Sequence, residues 1–191
     1  MNIRIFFGEL LNKFNLDVSF LFPRESVKFS RNFFRGKKLT AVEIGSLKGE
    51  HALSILQNLN VEKLYIIDPY EDYKDYKEGR SQKSLSRAER ECRRRLSPYL
   101  KKVVFIKKYS NDAVKEIPKE IDYIYIDGNH DYEFVRDDLK NYFPLVKLGG
   151  IVAGHDIQYK GVSDAVVEFS CKNKIKNLHI GDRRDWWMVK E

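Results

Sequence analysis

The sequence predicts an α/β fold in which a mainly parallel β-sheet carries helices on both faces. Short apolar and β-branched runs are typical of buried strands, and longer segments with helical apolar spacing separate most of them. Parallel neighbours need long crossovers, usually helices, so this alternation favours a parallel sheet. The seven predicted strands are KLTAVEI, KLYIID, KVVFIK, DYIYID, GGIVAG, KNLHI and DWWMVK.

The connections between these runs fix the expected topology. Helical spacing predicts helices over 50–59, 84–100, 111–117, 132–146 and 163–173. The glycines that end YFPLVKLGG are interpreted as the C-terminal cap of the fourth of these helices. KNLHI and DWWMVK are joined by a short loop that contains glycine. We therefore expect them to form an antiparallel hairpin.

Composition places the chain among ordinary globular proteins. Its 191 residues are 42% hydrophobic and 33% charged, enough for one domain with a substantial core. Its apolar runs all fall well short of the ~18 residues of a membrane helix, and Glu9 and Asn12 interrupt the first one, so we expect neither a membrane span nor a signal peptide. Cys92 and Cys171 form no metal or redox motif and fit reduced thiols in the cytoplasm.

Residues 1–36 differ from the rest of the chain. They contain 8 of the 12 Phe residues: 6, 7, 14, 20, 22, 29, 33 and 34. We predict an N-terminal helical, aromatic-rich segment that either covers the sheet domain of residues 37–191 or forms the contact of a homodimer.

A basic segment lies between Arg80 and Lys108. It holds 11 Lys or Arg residues against two Glu, an excess of nine positive charges, whereas the whole chain carries +7. One interpretation is a surface for nucleic acid or an anionic substrate. The other is a solvated helix face, and the lack of interleaved aromatic residues that would stack on bases favours it.

Polar and titratable residues follow the predicted strands, and in a parallel sheet the carboxyl ends of the strands bind the ligand. The first strand ends in Glu43, Gly45, Ser46 and Gly49; the second in Asp68; the third leads to Ser110; the fourth ends in Asp127 and His130; the fifth in His155 and Asp156. The two glycines suggest that a ligand lies against bare backbone at the first strand.

The charge near the glycines discriminates between two nucleoside ligands. Dinucleotide sites favour G-x-G-x-x-G, whereas here Glu43 stands two residues before Gly45 in place of the first glycine. A carboxylate there would repel a pyrophosphate but would suit a cationic ligand. S-adenosylmethionine carries a sulfonium and an α-ammonium, so the pattern favours a methyl donor, with Asp68 accepting hydrogen bonds from its ribose.

The chain resembles class I S-adenosylmethionine-dependent methyltransferases, in particular small members with a DG-x-H-x-Y motif after strand 4 and a GG-x-x-x-x-HD motif at strand 5. The matching text is VEIGSLKGEHAL, IDPY, YIDGNHDYEFVRDDLKNYFPLVKLGGIVAGHDI and DWWMVK, within about residues 39–190. The resemblance implies a Rossmann-like seven-stranded sheet with an antiparallel last strand. It also implies a donor site in which the methionyl part contacts Glu43, Gly45, Ser46 and Gly49. The ribose would contact Asp68 and the adenine Ser110. Asp127 would contact the donor as well.

The residues after strands 4 and 5 are the candidates for catalysis. Related metal-dependent enzymes such as catechol O-methyltransferase place a metal-binding Asp after strand 4, a basic residue three positions later and a second Asp after strand 5. Asp127, His130 and Asp156 match these positions, but the Asn that normally follows the second Asp is Ile157 here. His155 would complete an Asp127, His155, Asp156 set for Mg²⁺ or Mn²⁺.

The chemistry of methyl transfer leaves the acceptor open. A hydroxyl acceptor must be held in line with the donor and lose a proton, for which His130 is the expected base, with Asp127 and Asp156 as catalytic carboxylates. We expect a small-molecule or sugar (glycan) hydroxyl as acceptor. An RNA methyltransferase that uses the basic segment is the alternative, and a donor-binding protein without turnover is a third, non-enzymatic interpretation.

Overall fold

The structure, a computed structural model, describes residues 23–71 and 81–191. Within them, seven strands form one sheet in the order β3-β2-β1-β4-β5-β7-β6. The strands are β1 Leu39–Ile44, β2 Val61–Ile67, β3 Val103–Ile106, β4 Ile121–Ile126, β5 Val146–Gly154, β6 His179–Ile180 and β7 Trp186–Val189. The helices are α1 Glu25–Phe34, α2 Glu50–Asn58, α3 Gln82–Arg95, α4 Ser110–Ala113, α5 Tyr132–Tyr142 and α6 Lys160–Lys172.

The pairing of the strands confirms the predicted sheet. β1 pairs in parallel with β2 and β4, and the parallel pairing continues to β3 on one side and β5 on the other. β7 runs antiparallel to β5 and to β6, as the predicted hairpin requires. The strand order reverses between β1 and β4, so a crevice is expected at their carboxyl ends.

The core lies on both faces of the sheet because successive strand residues point to opposite sides. One face, with Ala41, Tyr123 and Tyr125, packs against side chains of α1, α2 and α3. The other face, with Val42 and Ile124, packs against side chains of α5 and α6. Both faces are therefore covered by helices, as predicted.

Two predicted helices end earlier than the sequence pattern suggested, and a proline follows each end. α3 ends at Arg95 and α5 at Tyr142, and short 3₁₀ turns at Ser97–Tyr99 and Phe143–Leu145 continue the chain. Pro98 and Pro144 lack the N–H that an α-helix needs. The predicted glycine cap after the second of these helices is wrong, because the glycine pair lies inside β5.

The predicted N-terminal segment is described only from residue 23, so most of it lies outside the described residues. Its helix α1 packs on the sheet: Val27 is fully buried in the core. The backbone N–H of Ser26 donates to Asp185 Oδ2 at 2.6 Å, which satisfies one of the free donors at the start of the helix. α1 is thus fixed to the loop between β6 and β7. Among the described residues, no helix is long and apolar enough to cross a membrane.

Candidate active site

A cavity of about 370 Å³ opens at the carboxyl ends of β1, β2, β4 and β5, beside the reversal of strand order. The structure therefore brings together most of the residues that the sequence singled out. The predicted site residues that line the cavity are Gly45, Ser46, Asp68, Ser110, Asp127, His130, His155 and Asp156. Glu43 and Gly49 do not line it.

The glycine turn after β1 allows two strand ends to approach each other closely. Gly45 has φ +80°, and a Cβ there would lie 2.0 Å from the carbonyl oxygen of Asp127. Gly49 also has a positive φ, but a Cβ there would meet the Cys92 side chain of α3 at 2.8 Å. A ligand alone therefore explains neither glycine. At both positions an added Cβ would clash with protein atoms, and only Gly45 also borders the cavity.

Asp68, after β2, holds the backbone of two turns. Its Oδ2 accepts from the N–H of Leu47 and its Oδ1 from the N–H of Tyr70, both at 2.8 Å. Burial raises the pKa of Asp68, and these backbone donors oppose the rise. Leu47 and Tyr70 both have positive φ, 47° and 50°, a conformation that costs free energy in large L-residues. The carboxylate therefore stabilises strained turns on this wall of the cavity.

Glu43 is fully buried and contacts His51, which lines the cavity. Alternation along β1 points Glu43 to the α2 side, where its Oε1 lies 2.9 Å from His51 Nδ1. Burial raises the pKa of Glu43 to about 8 and lowers the pKa of His51 well below its usual value. The His51 ring lies on Tyr125, with centroids 3.7 Å apart. His51, on which the sequence pattern made no prediction, is thus a cavity-lining residue.

Arg24, just before α1, also lines the cavity. Its Nη1 donates to the Tyr125 hydroxyl and, at 3.0 Å, to Asp127 Oδ2, and its guanidinium carbon lies 5.3 Å from the centre of the Tyr125 ring. Burial opposes the charge, but Tyr125 and Asp127 outweigh it and raise the pKa of Arg24. Arg24 was not among the predicted site residues, because it belongs to the segment without a recognisable motif.

Two histidines and two aspartates form a cluster that lines the same cavity. His130 Nε2 lies 3.1 Å from Asp156 Oδ2 and 4.0 Å from Asp127 Oδ1, and hydrogen bonding to Asp127 and Asp156 raises the pKa of His130 to about 9. Burial disfavours the charge of Asp156, but hydrogen bonds from His130, His155 and Gln158 outweigh it and hold its pKa well below the usual range. Asp156 also has φ +57°, and such strain is typical of functional sites.

The same cluster has the donor set of a cation site. One ligand atom from each of Asp127, His130 and Asp156 lies within 4.8 Å of the others. His155 Nδ1 lies 3.1 Å from Asp156 Oδ2, and its Nε2 lies 3.0 Å from the carbonyl oxygen of Arg183. If a cation replaces the Nδ1 hydrogen bond to Asp156, an Nε2–H that donates to this carbonyl leaves the Nδ1 lone pair for the cation, the arrangement usual for metal-binding histidines.

The basic segment is partly neutralised by carboxylates. Arg93 and Lys107 both pair with Glu89, at 3.1 and 2.7 Å, and Lys108 pairs with Glu116. Arg93 also lies over the ring of Phe105, 4.5 Å from its centre. These contacts support the solvated helix face rather than a surface for RNA.

The chain matches the family of methyltransferase domains over residues 42–157, which is more than half of its length. A curated relative, the uncharacterized protein R132 of Acanthamoeba polyphaga mimivirus, is 29% identical over 132 residues, or 66% of this chain. The match spans 55% of that relative, so this chain corresponds to only about half of it.

Solved structures show the same fold. The O-methyltransferase NovP superposes with a TM-score of 0.63 at 22% identity, over 86% of this chain and 78% of NovP. A putative caffeoyl-CoA O-methyltransferase from Staphylococcus aureus gives 0.66 at 15% identity, over 96% and 91% of the two chains. The methyltransferase PaMTH1 of Podospora anserina, bound to S-adenosylhomocysteine, gives 0.56 at 13%, over 87% and 76%. With the family match, this fold identifies the chain as a member of the class I S-adenosylmethionine-dependent methyltransferases.

Proposed function

We propose that the protein binds S-adenosylmethionine in the cavity between β1, β2 and β4 and transfers its methyl group to a hydroxyl oxygen of a small molecule or sugar. One observation carries the proposal: the donor-side residues and the His130–Asp156 pair line the same cavity, with the strand 4 carboxylate Asp127 between them. Donor and proton acceptor would therefore face each other across a short gap, as methyl transfer to a hydroxyl requires.

The donor is assigned to the wall formed by β1 and β2. Its methionyl part would lie at Gly45 and Ser46, its ribose at Asp68 and its adenine at Ser110, which all line the cavity. Two backbone N–H groups occupy part of the Asp68 carboxylate, but two ionised oxygens offer about four acceptor positions, so room remains for ribose hydroxyls. Glu43 would act on the donor only through His51.

His130 is assigned as the base that accepts the hydroxyl proton. Its Nε2 points to the carboxylates of Asp127 and Asp156, which stabilise the imidazolium that forms. A pKa of about 9 means that His130 is mostly protonated at neutral pH in the structure as it stands. The base therefore works at neutral pH only when the charge of the two carboxylates is compensated.

A divalent cation would supply that compensation, and the cluster fits one. Asp127, His155 and Asp156 are the proposed ligands, because the Arg183 carbonyl orients His155 and leaves His130 for proton transfer. The ion, Mg²⁺ or Mn²⁺, would provide Lewis-acid assistance to the acceptor hydroxyl. Two carboxylates with an imidazole suit Mn²⁺ at least as well as Mg²⁺, which prefers oxygen ligands.

A homodimer and a cytoplasmic location complete the proposal. Phe33 of α1 is 43% exposed and stacks on Phe29, so α1 offers an aromatic surface to a second copy of the chain. Light scattering of the protein and of Phe33→Ser would test this contact.

Both cysteines are free thiols, which supports a reducing compartment.

Methyl transfer from labelled S-adenosylmethionine tests the function. The purified protein, with Mn²⁺ present, should label hydroxyl-bearing small molecules or glycans from fractionated extracts and leave RNA unlabelled. The His130→Gln variant serves as the matched control and should lose the label. Label in RNA that disappears in the Arg94→Glu variant would favour the RNA alternative instead.

A further inference from the structure

Two side chains on the cavity wall have unused hydrogen-bonding groups, and both rest on Tyr125. Arg24 extends over the ring and donates to its hydroxyl, while the His51 ring lies on it at 3.7 Å. Tyr125 is completely buried at the end of β4, so it fixes the position of both. An arginine and a histidine thus both contact Tyr125, and both line the cavity.

The Arg24 guanidinium keeps donors for a further partner. Both of its hydrogen bonds, to the Tyr125 hydroxyl and to Asp127 Oδ2, start from Nη1. Within residues 23–71 and 81–191, no hydrogen bond from Nε or Nη2 is seen, although arginine presents five N–H donors in a fixed fork. This fork matches a carboxylate with two parallel hydrogen bonds.

His51 offers a donor beside it. Its Nδ1 is held by Glu43, and its buried Nε2 has no hydrogen-bond partner among the described residues. With the proton of the pair on Glu43, whose pKa is raised to about 8 by burial, the neutral His51 carries its own proton on Nε2. A buried N–H without a partner costs free energy, so an acceptor is expected there.

We propose that Arg24 and His51 together bind the α-carboxylate of the methyl donor's methionyl group. This inference rests on the proposed donor site. The amino-acid end carries a carboxylate, and the Arg24 guanidinium and the unpartnered Nε2 of His51 offer it a positive charge and a hydrogen-bond donor on the cavity wall. Asp68 and Ser110, which are assigned to ribose and adenine, come from other strand ends, so the β1–β4 side remains for this group.

The proposal makes Arg24 and His51 the groups that select a donor with an intact carboxylate. The experiment compares two ligands by calorimetry: S-adenosylhomocysteine, which has the amino-acid group, and 5′-methylthioadenosine, which lacks it. Arg24→Met should weaken S-adenosylhomocysteine binding roughly 10- to 100-fold, the range for a lost charge-assisted pair. Its affinity for 5′-methylthioadenosine should stay within about 2-fold of the wild-type value.

Further variants separate this role from a structural one. His51→Gln should show a smaller loss, roughly 3- to 10-fold, again only for S-adenosylhomocysteine, and Arg24→Lys should recover part of the loss. Lys48 also lines the cavity but is exposed, so Lys48→Met is the matched control and should leave both affinities unchanged.

The outcomes are distinguishable. An Arg24→Met variant that binds S-adenosylhomocysteine as well as wild type, or that loses both ligands equally, overturns the inference while the donor site stands. A wild-type protein that binds neither ligand overturns the proposed donor site, and this inference with it.

Discussion

His130 Nε2 lies 3.1 Å from Asp156 Oδ2 at the edge of the cavity. Hydrogen bonding to Asp127 and Asp156 raises the pKa of His130 to about 9, against 6.5 for an unperturbed histidine. Because the folded-state value is the higher one, this contact stabilises the fold fully below pH 6.5, and the contribution is lost as the pH rises through about 9.

An NMR titration of the His130 ring should therefore give a pKa of about 9. Asp156→Asn should move it toward the unperturbed value, since one of the two carboxylates is neutralised. Asp137→Asn, which removes a partly exposed carboxylate paired with Arg136, is the control and should leave it unchanged. A wild-type pKa near 6.5 would contradict the arrangement of the cluster.

Metal binding should change this titration. If Asp127, His155 and Asp156 hold a divalent cation, saturating Mg²⁺ should lower the pKa of His130, because the carboxylates no longer favour its proton. Chelator should abolish methyl transfer, and Mn²⁺ or Mg²⁺ should restore it. Asp156→Asn and His155→Gln should weaken Mn²⁺ binding by roughly 10-fold or more, whereas His130→Gln should spare it.

A failed Mn²⁺ titration would remove the metal from the mechanism. If calorimetry with the donor bound detects no ion, and activity survives the chelator, His130 acts as base without one. The activity of the wild type should then rise with pH through about 9, where His130 loses its proton.

Much of this site was predictable from the sequence, for a physical reason. In a parallel sheet every strand delivers its carboxyl end to one edge, so residues that follow strands meet there whatever their separation along the chain. Asp68, Asp127, His130 and Asp156 all line the cavity on this account. Locating the apolar runs was therefore enough to predict the strands and the residues that follow them.

Contacts that depend on side-chain direction or on distant segments were not predictable. Arg24 is separated from Asp127 by 103 positions and belongs to no motif. Glu43 points away from the cavity because of the alternation of β1, and the role of His51 follows only once Glu43 is placed behind it. Pro98 and Pro144 indicate the early helix ends in the sequence. The apolar spacing continues past both prolines, however, and it led to the longer predicted helices.

The glycine turn makes a prediction about stability. Gly45→Ala should lower the free energy of unfolding by at least about 3 kcal/mol, because the new Cβ would lie 2.0 Å from the carbonyl oxygen of Asp127. Gly36 has the same φ of +80° with nothing within 4 Å, so Gly36→Ala isolates the backbone term and should cost about 1 kcal/mol. Urea unfolding of the two variants checks this. Equal losses would mean that the close approach of β1 and β4 is absent.

Asp68 should matter for both the fold and the donor. Asp68→Asn replaces an acceptor of the Leu47 or Tyr70 N–H by an amide donor, which should cost about 1–3 kcal/mol of stability. It should also weaken S-adenosylhomocysteine binding roughly 10-fold or more. Glu71, an exposed carboxylate on the same cavity, provides the control Glu71→Gln. Unchanged affinity in Asp68→Asn would remove Asp68 from the ribose site.

Titration of S-adenosylhomocysteine into the wild-type protein by calorimetry tests the central claim most directly. We expect saturable binding at one site per chain, weakened by Asp68→Asn and retained in Glu71→Gln. The absence of any binding heat across several temperatures, with no protection of the protein against thermal unfolding, would contradict it.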